Sequence, residues 1–176
     1  VVGLCGWGLR PSELAALHVR QVVLDPADDD YPYLDFRDGD RKNGPGTVAM
    51  LAGDRVLDRR LDDVAEREGW TGYVFPSEAA ADGHVHVDTL RRWFADLVER
   101  AGVTVRGDPP TPKYGRRFWY ARYGEAVVEV AERFTPVAEA QGSADASVVI
   151  ENYLSEADRR MHLRRVMAES LADLFD

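Results

Sequence analysis

Arg10 stands in Gly8-Leu9-Arg10-Pro11-Ser12-Glu13-Leu14, directly ahead of a helix start. Pro11 suits the first helical turn, where no backbone donor is needed. Ser12 and Glu13 place an acceptor and a negative charge where the helix dipole favours them. An arginine fixed by such a turn suits the holding of a phosphate with its rigid planar fork. Lys42 lies in the turn-rich stretch 37–46, and only Lys42 and Lys113 are lysines among 22 basic residues. Lysine has a proton to give and arginine effectively does not. A lysine kept at this loop suits a general acid for an alkoxide leaving group. Lys113 and Arg116 are three residues apart and share a face if a helix starts near Lys113, which makes a phosphate clamp. Tyr153 closes the short apolar stretch 146–154. A phenol has a pKa near 10 and becomes a useful nucleophile where cations surround the electrophile.

The elements that must position these side chains read as mostly helical. Residues 11–20 form a first helix. Val22–Leu24, 31–36 and 47–51 read as extended, and the last two make a β-hairpin whose tip carries Lys42. An amphipathic helix over 53–68 puts Val56, Leu57, Leu61, Val64 and Ala65 on one face. Residues 73–76 are a brief extended piece. Asp88 caps a helix over 89–101 that buries Leu90, Trp93, Phe94, Leu97 and Val98, and Gly102 ends it. After a proline-rich connector at 107–112, helices are predicted over 113–123, 124–141, 145–154 and 156–175. Asp145 is the cap of the third of these. Met161, Leu163, Val166, Met167, Leu171, Leu174 and Phe175 make an apolar stripe along the last.

Composition narrows the class. With 176 residues and 45% hydrophobic content, the chain can bury a full domain core. It has no apolar run of the roughly 18 residues that a membrane span needs and no signal-peptide pattern. One cysteine, Cys5, forms no internal disulfide, so a reducing cytoplasm is the expected compartment. The start in apolar sequence without methionine reads as a fragment of a longer protein. Thirty-one acidic residues against 22 basic ones give a net charge of −9, and with lysine so scarce this suggests a salt-loving host. An acidic balance argues against nucleic acid at low salt, but in molar salt local arginine placement outweighs net charge. His18, His84, His86 and His162 show no ligand spacing, and no Gly-rich loop for ATP is present. No metal and no cofactor is expected.

In order and spacing these pieces resemble the catalytic domain of tyrosine recombinases, the phage-integrase family, over essentially the whole chain. The family's Gly-Leu-Arg-x-x-Glu-Leu stretch matches Gly8, Leu9, Arg10, Glu13 and Leu14. Its hairpin lysine matches Lys42, its His-x-x-Arg motif aligns with Lys113 to Arg116, and its late tyrosine matches Tyr153 in Asn152-Tyr153-Leu154-Ser155. Two positions depart from the pattern. The motif histidine is Lys113, as in the related type IB topoisomerases. The family's Leu-Gly-His before the tyrosine reads Gln141-Gly142-Ser143-Ala144, with Ser143 or Ala144 at the histidine position according to register.

The resemblance implies a mainly α fold with a small antiparallel β-sheet. It implies one catalytic domain over 1–176 that lacks the family's N-terminal DNA-clamping domain. It also implies cleavage and rejoining of double-stranded DNA through a 3′-phosphotyrosyl intermediate. Tyr153 is the nucleophile, Arg10 and Arg116 hold the non-bridging oxygens, Lys42 protonates the leaving 5′-oxygen, and Lys113 assists at the phosphate. Ser143 offers one hydrogen bond. The implied assembly is a tetramer on DNA joined through the C-terminal helix, in the cytoplasm with the nucleoid. Two alternatives stand beside this reading: a catalytically impaired DNA-binding homologue and a type IB-like topoisomerase.

Overall fold

The structure is a computed structural model that describes residues 1–27, 30–142 and 145–175, with Tyr153 described by its backbone alone. Seven α-helices, one 3-10 turn and three short strands are assigned among the described residues. They are α1 (Val2–Cys5), α2 (Pro11–Ala15), the 3-10 turn η1 (Val19–Gln21), β1 (Val22–Val23), β2 (Tyr33–Phe36), β3 (Gly46–Ala49), α3 (Asp54–Ala65), α4 (Val87–Ala101), α5 (Pro112–Ala140), α6 (Ala146–Tyr153) and α7 (Glu156–Phe175). The chain is therefore mainly α with a small antiparallel sheet, as expected. No helix among the described residues is long and apolar enough to cross a membrane.

The hairpin forms in the anticipated place. β2 pairs antiparallel with β3 from Tyr33↔Ala49 to Phe36↔Gly46, and β1 adds to its other edge through Val22↔Leu34. Leu34 and Phe36 alternate inward and are fully buried with Leu4, Leu9, Leu17, Met50 and Val74 in the first core. α7 covers α5 in a second core, where Val166, Met167 and Leu171 meet Ala126, Val130 and Leu51. Burying each Val, Leu, Phe or Met side chain among these stabilises by about 1.5–3 kcal/mol. The stripe expected to reach a neighbouring protomer is thus covered at Val166, Met167 and Leu171 within its own chain, while Met161 and Leu174 stay exposed.

Several boundaries differ from the sequence reading. The first helix stops at Ala15 rather than near 20. Tertiary backbone bonds capture the next residues: Val74 N donates to Leu17 O at 2.9 Å and Val19 N to Gly72 O at 2.8 Å. The helices expected over 113–123 and 124–141 are one helix of 29 residues that runs through Gly124 and Pro136. An isolated helical glycine costs only about 1 kcal/mol, which packing against α1, α6 and α7 overrides. α4 is capped by His86, whose Nδ1 accepts from Asp88 N at 3.3 Å, so Asp88 lies inside the helix rather than at its cap. Gly102 ends it in the left-handed conformation, as expected. Trp93 and Leu97 are exposed, not buried, because α4 covers the core only along Leu90 and Phe94. On α3 only Leu57 and Val64 of the expected face are buried, and Val56 and Ala65 reach solvent. Asp145 caps α6 by accepting from Ser147 N at 2.9 Å, as read.

Candidate active site

Glu13 organises the site. It sits in the first turn of α2 and its side chain is 3% exposed. Gly8, at a φ of 65°, turns the chain into Leu9, which is buried, and Arg10 follows at the helix N-cap in extended conformation. The turn brings Glu13 Oε2 to the Arg10 backbone N–H at 2.8 Å, while Arg10 Nη1 donates to Oε1 at 2.8 Å. Arg41, from the hairpin tip, donates its Nε to the same Oε1 at 3.3 Å. Arg116, from the second turn of α5, places Nη1 3.9 Å from Oε2. Burial pushes the Glu13 carboxyl up, but the Arg10 hydrogen bonds and the Arg41 and Arg10 charges outweigh it, so its pKa lies below the ordinary glutamate value.

Three guanidiniums from three separate segments therefore share one buried carboxylate. They leave a local surplus of two positive charges in a chain whose net charge is −9. Their side chains keep 29%, 16% and 23% of their surface exposed, so an incoming anion can reach them. Arg116 is further fixed by donating Nη1 to Gly8 O at 2.6 Å and Nη2 to Tyr120 Oη at 3.0 Å. Arg41 lies over the Phe36 ring, 4.9 Å from its centroid. A cavity of about 270 Å³ opens between Arg41 and Arg116, with Trp119, Tyr123, Arg160 and Arg164 on its walls. The Trp119 indole N–H beside it is buried without a hydrogen-bond partner among the described residues.

The remaining sequence-derived residues fall at varied distances from this cluster. Lys42 follows Arg41 in the hairpin turn, is exposed, and has no polar partner among the described residues. Lys113 is exposed one residue into α5, ahead of Arg116 on the same helix. Ser143 and Ala144 lie outside the described residues. The Tyr153 side chain is likewise undescribed, but its helix α6 is seated through Ala146 and Val149 on Phe134 and Ala138. Ala138 lies about 33 Å from Arg116 along α5 at about 1.5 Å per residue. The structure thus brings together Arg10 and Arg116, sets Lys42 and Lys113 on adjoining segments, and holds α6 at the other end of α5.

Sequence reasoning missed Arg41 altogether and gave Glu13 only a helix-dipole role. The signal for Arg41 was its place beside Lys42 on a hairpin tip. A groove of about 960 Å³ runs between α4 and the segment 109–112, mostly apolar through Phe94, Val98, Val103 and prolines, with Arg91 and Lys113 also on its walls. The cluster on Glu13 instead gathers three guanidiniums at one point, and it is therefore the candidate site. His84 and His86 are occupied structurally, His84 against Tyr73 at 4.9 Å between ring centroids and His86 as the α4 cap.

No protein-family model matches the sequence, and no curated protein matches it. Among solved structures, the chain is similar to one described as the crystal structure of XerA recombinase, at 21% identity and a TM-score of 0.54. That match covers 93% of this chain and 56% of the other. A structure of the Tn1549 transposon integrase in complex with circular intermediate DNA aligns at 14% identity and a TM-score of 0.47, over 94% of this chain and 58% of that one. The chain spans little more than half the length of either protein. What the XerA comparison establishes is the fold: this chain has the mainly helical architecture, with its small antiparallel sheet, of that recombinase structure.

Proposed function

We propose that the chain is the catalytic domain of a site-specific DNA recombinase or integrase that works through a phosphotyrosyl intermediate. The observation that carries this reading is the gathering of Arg10, Arg41 and Arg116 on the buried Glu13, with two positive charges unbalanced. A phosphodiester carries one negative charge, and attack on it develops a second on the non-bridging oxygens. A preorganised cation cluster stabilises that development most where water is partly excluded.

In the proposed reaction Tyr153 Oη bonds to phosphorus and the P–O5′ bond breaks. The proton needed by the 5′-oxygen comes from Lys42, and the tyrosine proton passes to solvent. Lys113 supports the phosphate where the family pattern has histidine. Attack by another strand's 5′-hydroxyl reverses the step and restores the phosphodiester. Arg10 and Arg116 orient the oxygens, and Glu13 orients the arginines.

The test is covalent trapping. The wild type and Tyr153→Phe are incubated with supercoiled and nicked DNA in high salt, then denatured. An adduct at the DNA 3′ end in the wild type and none in the variant is the expected outcome. DNA binding without an adduct from either would overturn the reading.

The seating of α6 at the far end of α5 favours a second reading, a DNA-binding homologue without turnover. Trapping separates the two. In the free chain α7 is packed at home, so a tetramer joined by exchange of this helix requires its release. Light scattering with and without DNA tests that assembly, and a monomer in both would exclude it.

A further inference from the structure

The hairpin tip that bears Lys42 is closed from both sides, by contacts the sequence pattern does not announce. Two successive turns build it. Asp40 N donates to Arg37 O at 3.1 Å, and Gly44 N donates to Arg41 O at 3.3 Å. Lys42 lies in the second turn. On one side Arg41 is tied to Glu13. On the other, the Asp40 carboxylate accepts from the Arg37 backbone N–H at 2.9 Å and from Arg20 Nη2 at 3.0 Å. The Gln21 side chain lies beside it. Gln21 is buried, and its Oε1 accepts from His18 N at 2.9 Å. The tip is thereby fastened to η1, a segment itself pinned by the Leu17 and Val19 backbone bonds to Val74 and Gly72.

The Asp40 side chain is only 13% exposed, so its bonds are shielded where those of an open loop would not be. A lysine on a four-carbon stem has several rotors, and a proton donor must stand within hydrogen-bond reach of its acceptor. We propose that Asp40 is a positioning residue for Lys42, fastening the hairpin tip to η1 so that the ammonium stands beside the arginine cluster when the leaving oxygen needs a proton. This rests on the strand-transfer reading above. Asp40 itself touches no DNA atom in this role. Its effect is confined to the P–O5′ bond-breaking step.

The experiment uses the DNA cleaved in the trapping assay, made in two forms. One has the ordinary 5′-oxygen at the scissile phosphate. The other has a bridging 5′-sulfur, which leaves as a thiolate without needing a proton, since a thiol has a pKa of about 8.5. Asp40→Asn and Lys42→Ala are compared with wild type. Arg20→Gln removes the other end of the same bond at a position whose side chain is 56% exposed, so it tests the clamp even if Asp40→Asn fails to fold. On ordinary DNA, Asp40→Asn and Arg20→Gln should each slow adduct formation about 10- to 100-fold, the scale of a misplaced catalytic group. On sulfur-linked DNA all three variants should come within about threefold of wild type, because no general acid is required there.

Equal losses on both DNAs would overturn the inference, since a damaged fold or phosphate clamp does not distinguish the leaving group. No loss on either would overturn it too. A wild type that cleaves neither DNA overturns the strand-transfer reading, and the positioning role with it. Trypsin provides a readout without DNA: cleavage after Lys42 should speed up about tenfold in Arg20→Gln as the tip loosens. An unchanged rate would show that no clamp exists.

Discussion

Arg41 and Glu13 are 28 residues apart in the chain and 3.3 Å apart in space, and Glu13 presents to Arg41 the same carboxylate oxygen that Arg10 reaches. One anion thus registers the hairpin against the first helix. Glu13→Gln should cost about 3 kcal/mol, at the low end for a buried ion pair because the guanidiniums keep part of their surface in water. Urea unfolding measures it. The folded-state pKa of Glu13 is depressed, so its contribution is complete above the ordinary glutamate value of 4.5 and is lost as pH falls through the lower folded value. The stability gap between wild type and Glu13→Gln should therefore close on acidification below about pH 4.5. A gap that widened there would contradict the assignment.

Arg10→Lys keeps the charge and loses the planar fork. Single-turnover adduct formation should fall about 10²- to 10³-fold, with little change in DNA retention. A matching loss of binding would mean that Arg10 holds DNA in the ground state only.

Gly8→Ala should destabilise by about 2 kcal/mol and disturb the site. Gly8 has a φ of 65°, and an added Cβ would stand 2.8 Å from Trp119 Cδ2. Gly8 O is also the acceptor that anchors Arg116. Tryptophan emission and urea unfolding, followed together, check both effects.

Leu171→Ala tests whether α7 belongs to its own core. Leu171 is fully buried against the α5 face, so the substitution should cost about 3 kcal/mol. A loss below about 0.5 kcal/mol, the range of a surface position, would place α7 elsewhere in solution.

Molar salt should stabilise the chain, as the proposal of a salt-loving host requires. A net charge of −9 repels itself, and at 1 M ionic strength the screening length is about 3 Å. Raising potassium chloride from 0.1 to 2 M should raise Tm by roughly 5 °C. A flat or falling Tm would remove the halophilic reading.

Much of this protein was legible in the sequence, and the parts that were not share a cause. Local chemistry announced the Pro11 helix start, the hairpin of β2 and β3, the Asp145 cap and the Gly102 stop, because each depends on side chains within a few residues. Order and spacing singled out Arg10, Lys42 and Arg116. The early end of α2 was not legible, because Gly72 and Val74 compete for its backbone from more than 50 residues away. The fusion of two expected helices into α5 depended on α1, α6 and α7 packing along it. The convergence of Arg10, Arg41 and Arg116 on Glu13 was likewise a tertiary outcome. Order and spacing nominated Arg10 and Arg116 as candidate phosphate holders. Only the fold decided which arginines share one carboxylate, since a buried anion selects its partners by position in space and not by spacing along the chain.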